Sequence, residues 1–282
     1  SSGEVEDHLI TITAPNLDFG DFSGFAQATS VANATIKMGV NAADAEAALT
    51  GNTSANADDT SGIDDEDGVT QTALRANQSG TITVNVTNTS GAAAYLNVWA
   101  DWNKNNLADA GEQIATNTAI ATGTSNSNIA LSVTPPVATA TGTIPLRARI
   151  TNVANPGFSN TFPGTSSGEV EDHLITITAP NLDFGDWSGA GAATSTTYST
   201  MNSNLRLGAA VDAEATVVAN ATATTDDTTN TGATDDEDGA TMPSSLMQGV
   251  SVTLPVSVTN TLTVAGYLHA WIDFNNDGTF NN

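Results

Sequence analysis

Side-chain oxygens recur along this sequence at spacings that suit a hard cation. In the stretch Asp101-Trp102-Asn103-Lys104-Asn105-Asn106-Leu107-Ala108-Asp109-Ala110-Gly111-Glu112 they fall at positions 1, 3, 5, 9 and 12, through Asp101, Asn103, Asn105, Asp109 and Glu112. A tight loop wraps Ca²⁺ in that order, with the backbone carbonyl of position 7, here Leu107, as a further ligand. Asp273, Asn275 and Asp277, followed by Gly278, begin the same pattern again. The flanking residues read as strands, so this is not a helix-flanked calcium hand, and an ordinary polar hairpin loop is the competing reading. A second group comprises Asp58-Asp59 and Asp64-Asp65-Glu66-Asp67, repeated as Asp226-Asp227 and Asp235-Asp236-Glu237-Asp238. Carboxylates so crowded repel one another unless a cation or water separates them. A solvated acidic loop would look the same. Oxygen donors without sulfur favour Ca²⁺ over zinc or copper.

A third element is Gly168-Glu169-Val170-Glu171-Asp172. On a strand, Glu169 and Glu171 share a face, as do Arg147 and Arg149 in the segment before. The expectation is an Arg/Glu ladder between paired strands that fixes register, with metal ligation by the two glutamates as the alternative. Asp172, at the change of face, is the better candidate ligand.

The elements that must carry these residues are strands. Period-two alternation of apolar and polar residues marks 81–87, 129–133, 146–150, 173–178 and, around Pro255, 251–258, with Asn-, Ser-, Gly- and Pro-rich turns between them. Each run buries one face only. The predicted fold is therefore all-β, built from Greek-key-like antiparallel β-sandwich domains in tandem, with long acidic loops. Residues 22–62 are Ala-, Thr-, Asn- and Ser-rich and read as a long loop, with a short helix at 43–49 and with Phe22, Phe25, Ile36, Met38 and Val40 as anchors.

Residues 1–21 recur unchanged at 166–186. Looser matches follow in order: Asp44-Ala45-Glu46 with Asp212-Ala213-Glu214, the two acidic groups, and Tyr95-Leu96 with Trp99 against Tyr267-Leu268 with Trp271. The expected organisation is 1–16 as the last strand of a preceding unit, 17–178 as a complete unit, and 179–282 as an incomplete second one. A unit of this length is a whole domain rather than a solenoid turn.

Composition narrows the partners. The 282 residues carry 31 acidic and 6 basic side chains, a net charge of −25, which disfavours nucleic acid and anionic membranes. Cysteine is absent, so disulfides and Cys-ligated metals are excluded. No apolar run is long enough for a transmembrane helix. No arrangement of the histidines His8, His173 and His269 suggests a nucleophile and base, so the expected protein is not an enzyme.

The blocks LDFGD, DAE, DDEDGV, AYLNVWADWN with GEQI, LRARI and GEVEDHLITI, in that order, resemble the GEVED domain family. The resemblance covers Leu17 to about Ile177 and implies a module of large secreted or surface-anchored bacterial proteins, commonly in tandem. The expected function is a non-catalytic, calcium-stabilised surface stalk, fibre or filament whose partners are neighbouring copies of the repeat. A calcium-dependent adhesin binding a glycan or a partner protein is the alternative.

Overall fold

The computed structural model describes residues 2–13, 15–43, 45–46, 51–57, 64–136, 138–160, 166–187, 198–214, 219–223 and 236–275. The chain divides into two compact units, Ser1–Ala179 and Pro180–Asn282.

Among the described residues, every regular element of the first unit is a strand: β1 (Leu17–Phe19), β2 (Thr29–Ala32), β3 (Ile36–Met38), β4 (Val69–Gln71), β5 (Leu74–Arg75), β6 (Gly80–Asn88), β7 (Ala94–Ala100), β8 (Gln113–Ile120), β9 (Thr124–Val133), β10 (Gly142–Thr151) and β11 (Ser167–Thr178). One sheet runs β1-β2-β11-β10-β7-β8. Its pairings are antiparallel except along one edge of β11, where β2 and β5 lie parallel to its two ends. In the other sheet β6 is central, with β9 on one side and β3 and β4 in line on the other. Alternation decides what each strand buries. Ile82, Val84 and Val86 of β6 join Leu96, Val98 and Ala100 of β7 and Ile144, Leu146, Ala148 and Ile150 of β10 in one apolar layer. This is a β-sandwich-like arrangement, and the alternating runs at 81–87, 129–133, 146–150 and 173–178 all lie in its strands.

Residues 22–62 contain more structure than their composition suggested. β2 and β3 lie there, and Phe25, Ile36 and Met38 are buried, whereas Val40 is exposed. Backbone pairing with β1, β11 and β6 supplies what the small side chains lack. In the segment expected to be helical, residues 45 and 46 are not, since the Glu46 amide donates to the carbonyl of Leu17 (2.9 Å); residues 44 and 47–50 lie outside the described residues.

The second unit repeats the opening of the first. β12 (Leu182–Phe184) pairs with β13 (Tyr198–Thr200), and β14 (Leu205–Leu207) with β15 (Val258–Asn260). The partner register Leu205↔Asn260 matches Ile36↔Asn88. The expected strand at 251–258 is not formed beyond an isolated bridge at Val256 and the start of β15. Trp271 is 60% exposed, while its counterpart Trp99 is 6% exposed. β7 is held between β10 and β8, whereas residues 261–275 form no strand. The same holds for residues 2–13. They form no strand and are exposed, although the identical sequence at 167–178 forms β11.

Candidate metal centres

The register of β10 against β11 sorts the charges of the Gly168–Asp172 motif. Arg147 lies opposite Asp172 and Arg149 opposite Val170, whereas Ala148 and Ile150 lie opposite Glu171 and Glu169. Residues directly opposite in an antiparallel pair share a face. The arginines and Asp172 thus occupy the outer face, and the two glutamates the core face, in line with Ile175 and Ile177. The expected Arg/Glu ladder does not exist. Gly168 makes the motif's entry possible: its φ is +150°, and a Cβ there would run into the carbonyl oxygen of Ile150.

On the outer face, Nε and Nη2 of Arg147 donate to Oδ1 and Oδ2 of Asp172, both at 2.7 Å. Phe25 and Phe158 stack on the guanidinium at 5.0 and 4.9 Å. Asp172 also accepts from the Phe22 amide (3.0 Å). Both oxygens of Asp172, an expected metal ligand, are thus hydrogen-bonded, and its charge is matched by an arginine. Arg149 holds the carbonyls of Pro156, Gly157 and Thr29 (2.8–3.1 Å), and burial lowers its pKa to about 10.

On the core face no arginine is present. Glu169 accepts from the Met38 amide of β3, which ties one sheet to the other. Glu171 lies against Gly68 and its Oε2 contacts His173 Nε2 (2.8 Å). Gly68 admits this approach, because a Cβ there would sit 2.6 Å from Glu171 Oε1. Asp18 of β1 caps the same edge, its Oδ2 accepting from the Val170 amide (2.6 Å). Asp18, Glu46 and Asp65 can each bring one oxygen within 4.8 Å of the others. Asp18, Asp65, Glu169 and Glu171 are each at most 4% exposed. Desolvation pushes the Asp18 carboxyl well above its ordinary range, and the charges of Glu169, Glu46 and Asp65 add to this. Desolvation likewise raises Glu169, helped by Glu171, and raises Glu171, helped by Asp67 and Asp65. Glu66 is raised by burial and by Asp21, Asp65, Glu171 and Asp18. These carboxylates form one electrostatic unit.

Within the second acidic group, Asp65 is therefore buried, Asp64 is exposed, and Asp67 accepts from the Val40 amide (2.8 Å). The other copy repeats this pattern. Asp212, Glu214 and Asp236 form a second group within 4.8 Å. Glu214 accepts from the Phe184 amide (2.7 Å) as Glu46 does from Phe19 (2.8 Å), and Asp238 accepts from Ala209 (3.0 Å) as Asp67 does from Val40. Asp58, Asp59, Asp226, Asp227, Asp235 and Asp277 lie outside the described residues. The sequence does not single out Asp18 and Glu46 as ligands, although both stand in blocks that recur in both copies.

The 101–112 loop joins β7 to β8. Asp101 is buried, and its two oxygens accept from the amides of Asn105 (3.0 Å) and Asn106 (2.8 Å). Asn103 Oδ1 accepts from the Asn105 amide and Asn105 Oδ1 from that of Leu107, curling the chain so that alternate side chains turn inward. The side-chain amides of Asn103 and Asn105 converge on Asp109 Oδ2, at 3.0 and 2.7 Å. Glu112, buried, closes the loop by accepting from the Asp109 amide (2.8 Å). Its carboxyl is raised by desolvation, with Asp101 and Asp109 adding to the effect. Lys104 and Asn106 adopt left-handed backbone (φ 59° and 65°), so Asn106 does serve where a calcium loop often has glycine. Asp273 and Asn275 of the second copy lie in a segment without strand, Asn275 at a bend.

Residues 95–176 match the GEVED domain family, from Tyr95 in β7 to Thr176 in β11. The matched stretch contains both the 101–112 loop and the Gly168–Asp172 motif. No curated protein matches the chain.

Proposed function

We propose that this chain is a non-catalytic structural repeat of a protein outside the cell, its modules stiffened by Ca²⁺. The observation that carries the reading is the convergence of Asp101, Asn103, Asn105, Asp109 and Glu112 in the β7–β8 connection. Asn103 and Asn105 already crowd one carboxylate oxygen through their amide groups. A half-turn of each amide presents an oxygen in place of a nitrogen, giving a loop rich in hard donors. Such a loop ties the end of β7 to the start of the edge strand β8 without building any reactive group. The acidic surface, the scarcity of lysine and the repeated blocks support a tandem array, with neighbouring copies as its partners. Among the described residues no helix is long and apolar enough to cross a membrane.

Isothermal titration of the whole chain with CaCl₂, beside an Asp101→Ala variant, tests this reading. The variant is expected to lose one binding class and its share of the calcium-dependent rise in melting temperature. Identical isotherms for the two proteins would refute the role given to the loop.

A further inference from the structure

The loop of the preceding reading and the buried face of β11 use different residues, and the second makes a stronger demand for a cation. Glu169 and Glu171 are each 1% exposed, and Oε1 of both has no hydrogen-bond partner among the described residues. Their other oxygens are taken by the Met38 amide and by His173, respectively. A buried carboxylate oxygen without a donor costs several kcal/mol of solvation unless something replaces the lost water. The chain could have spent its arginines here, but Arg147 and Arg149 lie on the opposite face of the sheet. Lys37, the described cation acting on Glu169, gives its ammonium to the carbonyls of Gly39, Val40 and Asn41. Asp18, Glu46 and Asp65 meet within 4.8 Å of one another; Asp18 accepts from the amide of Val170, between the two glutamates, and the charge of Asp65 acts on both of them.

We propose that Glu169 and Glu171, with Asp18, Glu46 and Asp65, form a second, buried site for a divalent cation, Ca²⁺ by the chemistry of its donors. All donors are carboxylate oxygens, which suits calcium and excludes a preference for soft metals. Several carboxylates and their capacity for bidentate contact meet calcium's demand for six to eight oxygens better than the strict octahedron of magnesium. The raised carboxyls of Asp18, Glu169 and Glu171 agree with a pocket poised for positive charge. The ion would pin β11 to β1 and, through residues 64–68, to β4 in the other sheet, closing an edge that the short strands β1, β3 and β4 secure poorly. The paired glutamates of the Gly168–Asp172 motif are thus given a ligand role and its aspartate a structural one. Glu4 and Glu6, their sequence duplicates, are exposed and take no part.

The site deepens the calcium reading while standing on separate residues, so the two fail separately. The test is calcium titration of the whole chain as Glu169→Gln/Glu171→Gln, beside Asp101→Ala. The glutamine variant is expected to lose a binding class that Asp101→Ala retains, or to weaken it by at least about tenfold. Unchanged stoichiometry and affinity in the glutamine variant would overturn the buried site, whatever Asp101→Ala does. Loss in the glutamine variant with none in Asp101→Ala would overturn the loop alone. Should the glutamine variant fail to fold, amide hydrogen exchange of the unaltered chain decides. Calcium is expected to slow exchange at Met38, Gly68 and Val170 beyond its effect on the 101–112 loop. Equal exchange at those three amides with and without calcium would overturn the proposal.

Discussion

A carboxylate inside a protein is kept either by a cation or by a proton, and this chain uses its few cations sparingly. Asp172 has Arg147 and holds it through two short hydrogen bonds, with aromatic rings on the guanidinium. Asp18, Glu169 and Glu171 have no such partner, and burial makes each hold its proton more tightly than in the unfolded chain. The sign of the consequence follows. Between the ordinary values, 3.8 for Asp18 and 4.5 for the glutamates, and the raised folded values, the native state binds more protons than the unfolded one. Stability in that window falls as pH rises. In metal-free buffer the urea midpoint is expected to be lower at about pH 8 than at about pH 5, and saturating calcium should shrink the difference, because the ion replaces the protons. A metal-free midpoint that rises with pH would contradict the electrostatic account of these residues. Sequence showed the acidic residues but not which of them share an environment. Asp18 and Asp65 stand 47 positions apart, and only the pairing of β1 with β2 and of β2 with β11 brings the Asp18 side to the motif strand.

At the scale of elements, alternation was a sound guide where a strand has neighbours on both sides. The runs at 81–87 and 146–150 lie in β6 and β10, central strands whose apolar faces meet in the core. The run at 251–258 has the same pattern and little of the pairing, because periodicity states which face a strand can bury but not whether a partner is present. The small-residue stretch 22–62 failed in the opposite direction. β2 and β3 are held by backbone hydrogen bonds that leave no mark in composition. Register was the hardest feature to read: a one-residue shift exchanges the two faces of β11 and turns an expected Arg/Glu ladder into an Arg147–Asp172 pair with two glutamates left inside. Gly168 fixes that register by its conformation. Gly168→Ala is expected to destabilise the first unit by about 1–3 kcal/mol or more, since both the left-handed backbone and the nearby Ile150 carbonyl oppose a side chain. Urea unfolding followed by tryptophan fluorescence checks this, and an unchanged midpoint would remove the glycine from the account.

At the scale of the whole molecule, the same acidic framework occurs twice. Glu46 and Glu214 accept from the corresponding amides of Phe19 and Phe184, and each stands in a group of three carboxylates, with Asp65 and with Asp236. The apolar layer described for the first unit is built from side chains of moderate size, with small residues frequent among them, and a net charge of −25 works against compaction. Cations that bind only the folded modules would offset both. At a hundred times Kd, each site adds about 2.7 kcal/mol, which for a unit of this size is about 5–10 °C in melting temperature. Scanning calorimetry of the full chain in millimolar CaCl₂ and again in EGTA is the most direct measurement. The first unit is expected to melt at least about 5 °C higher with calcium; superimposable transitions in the two buffers would contradict the proposal that hard cations hold these modules together.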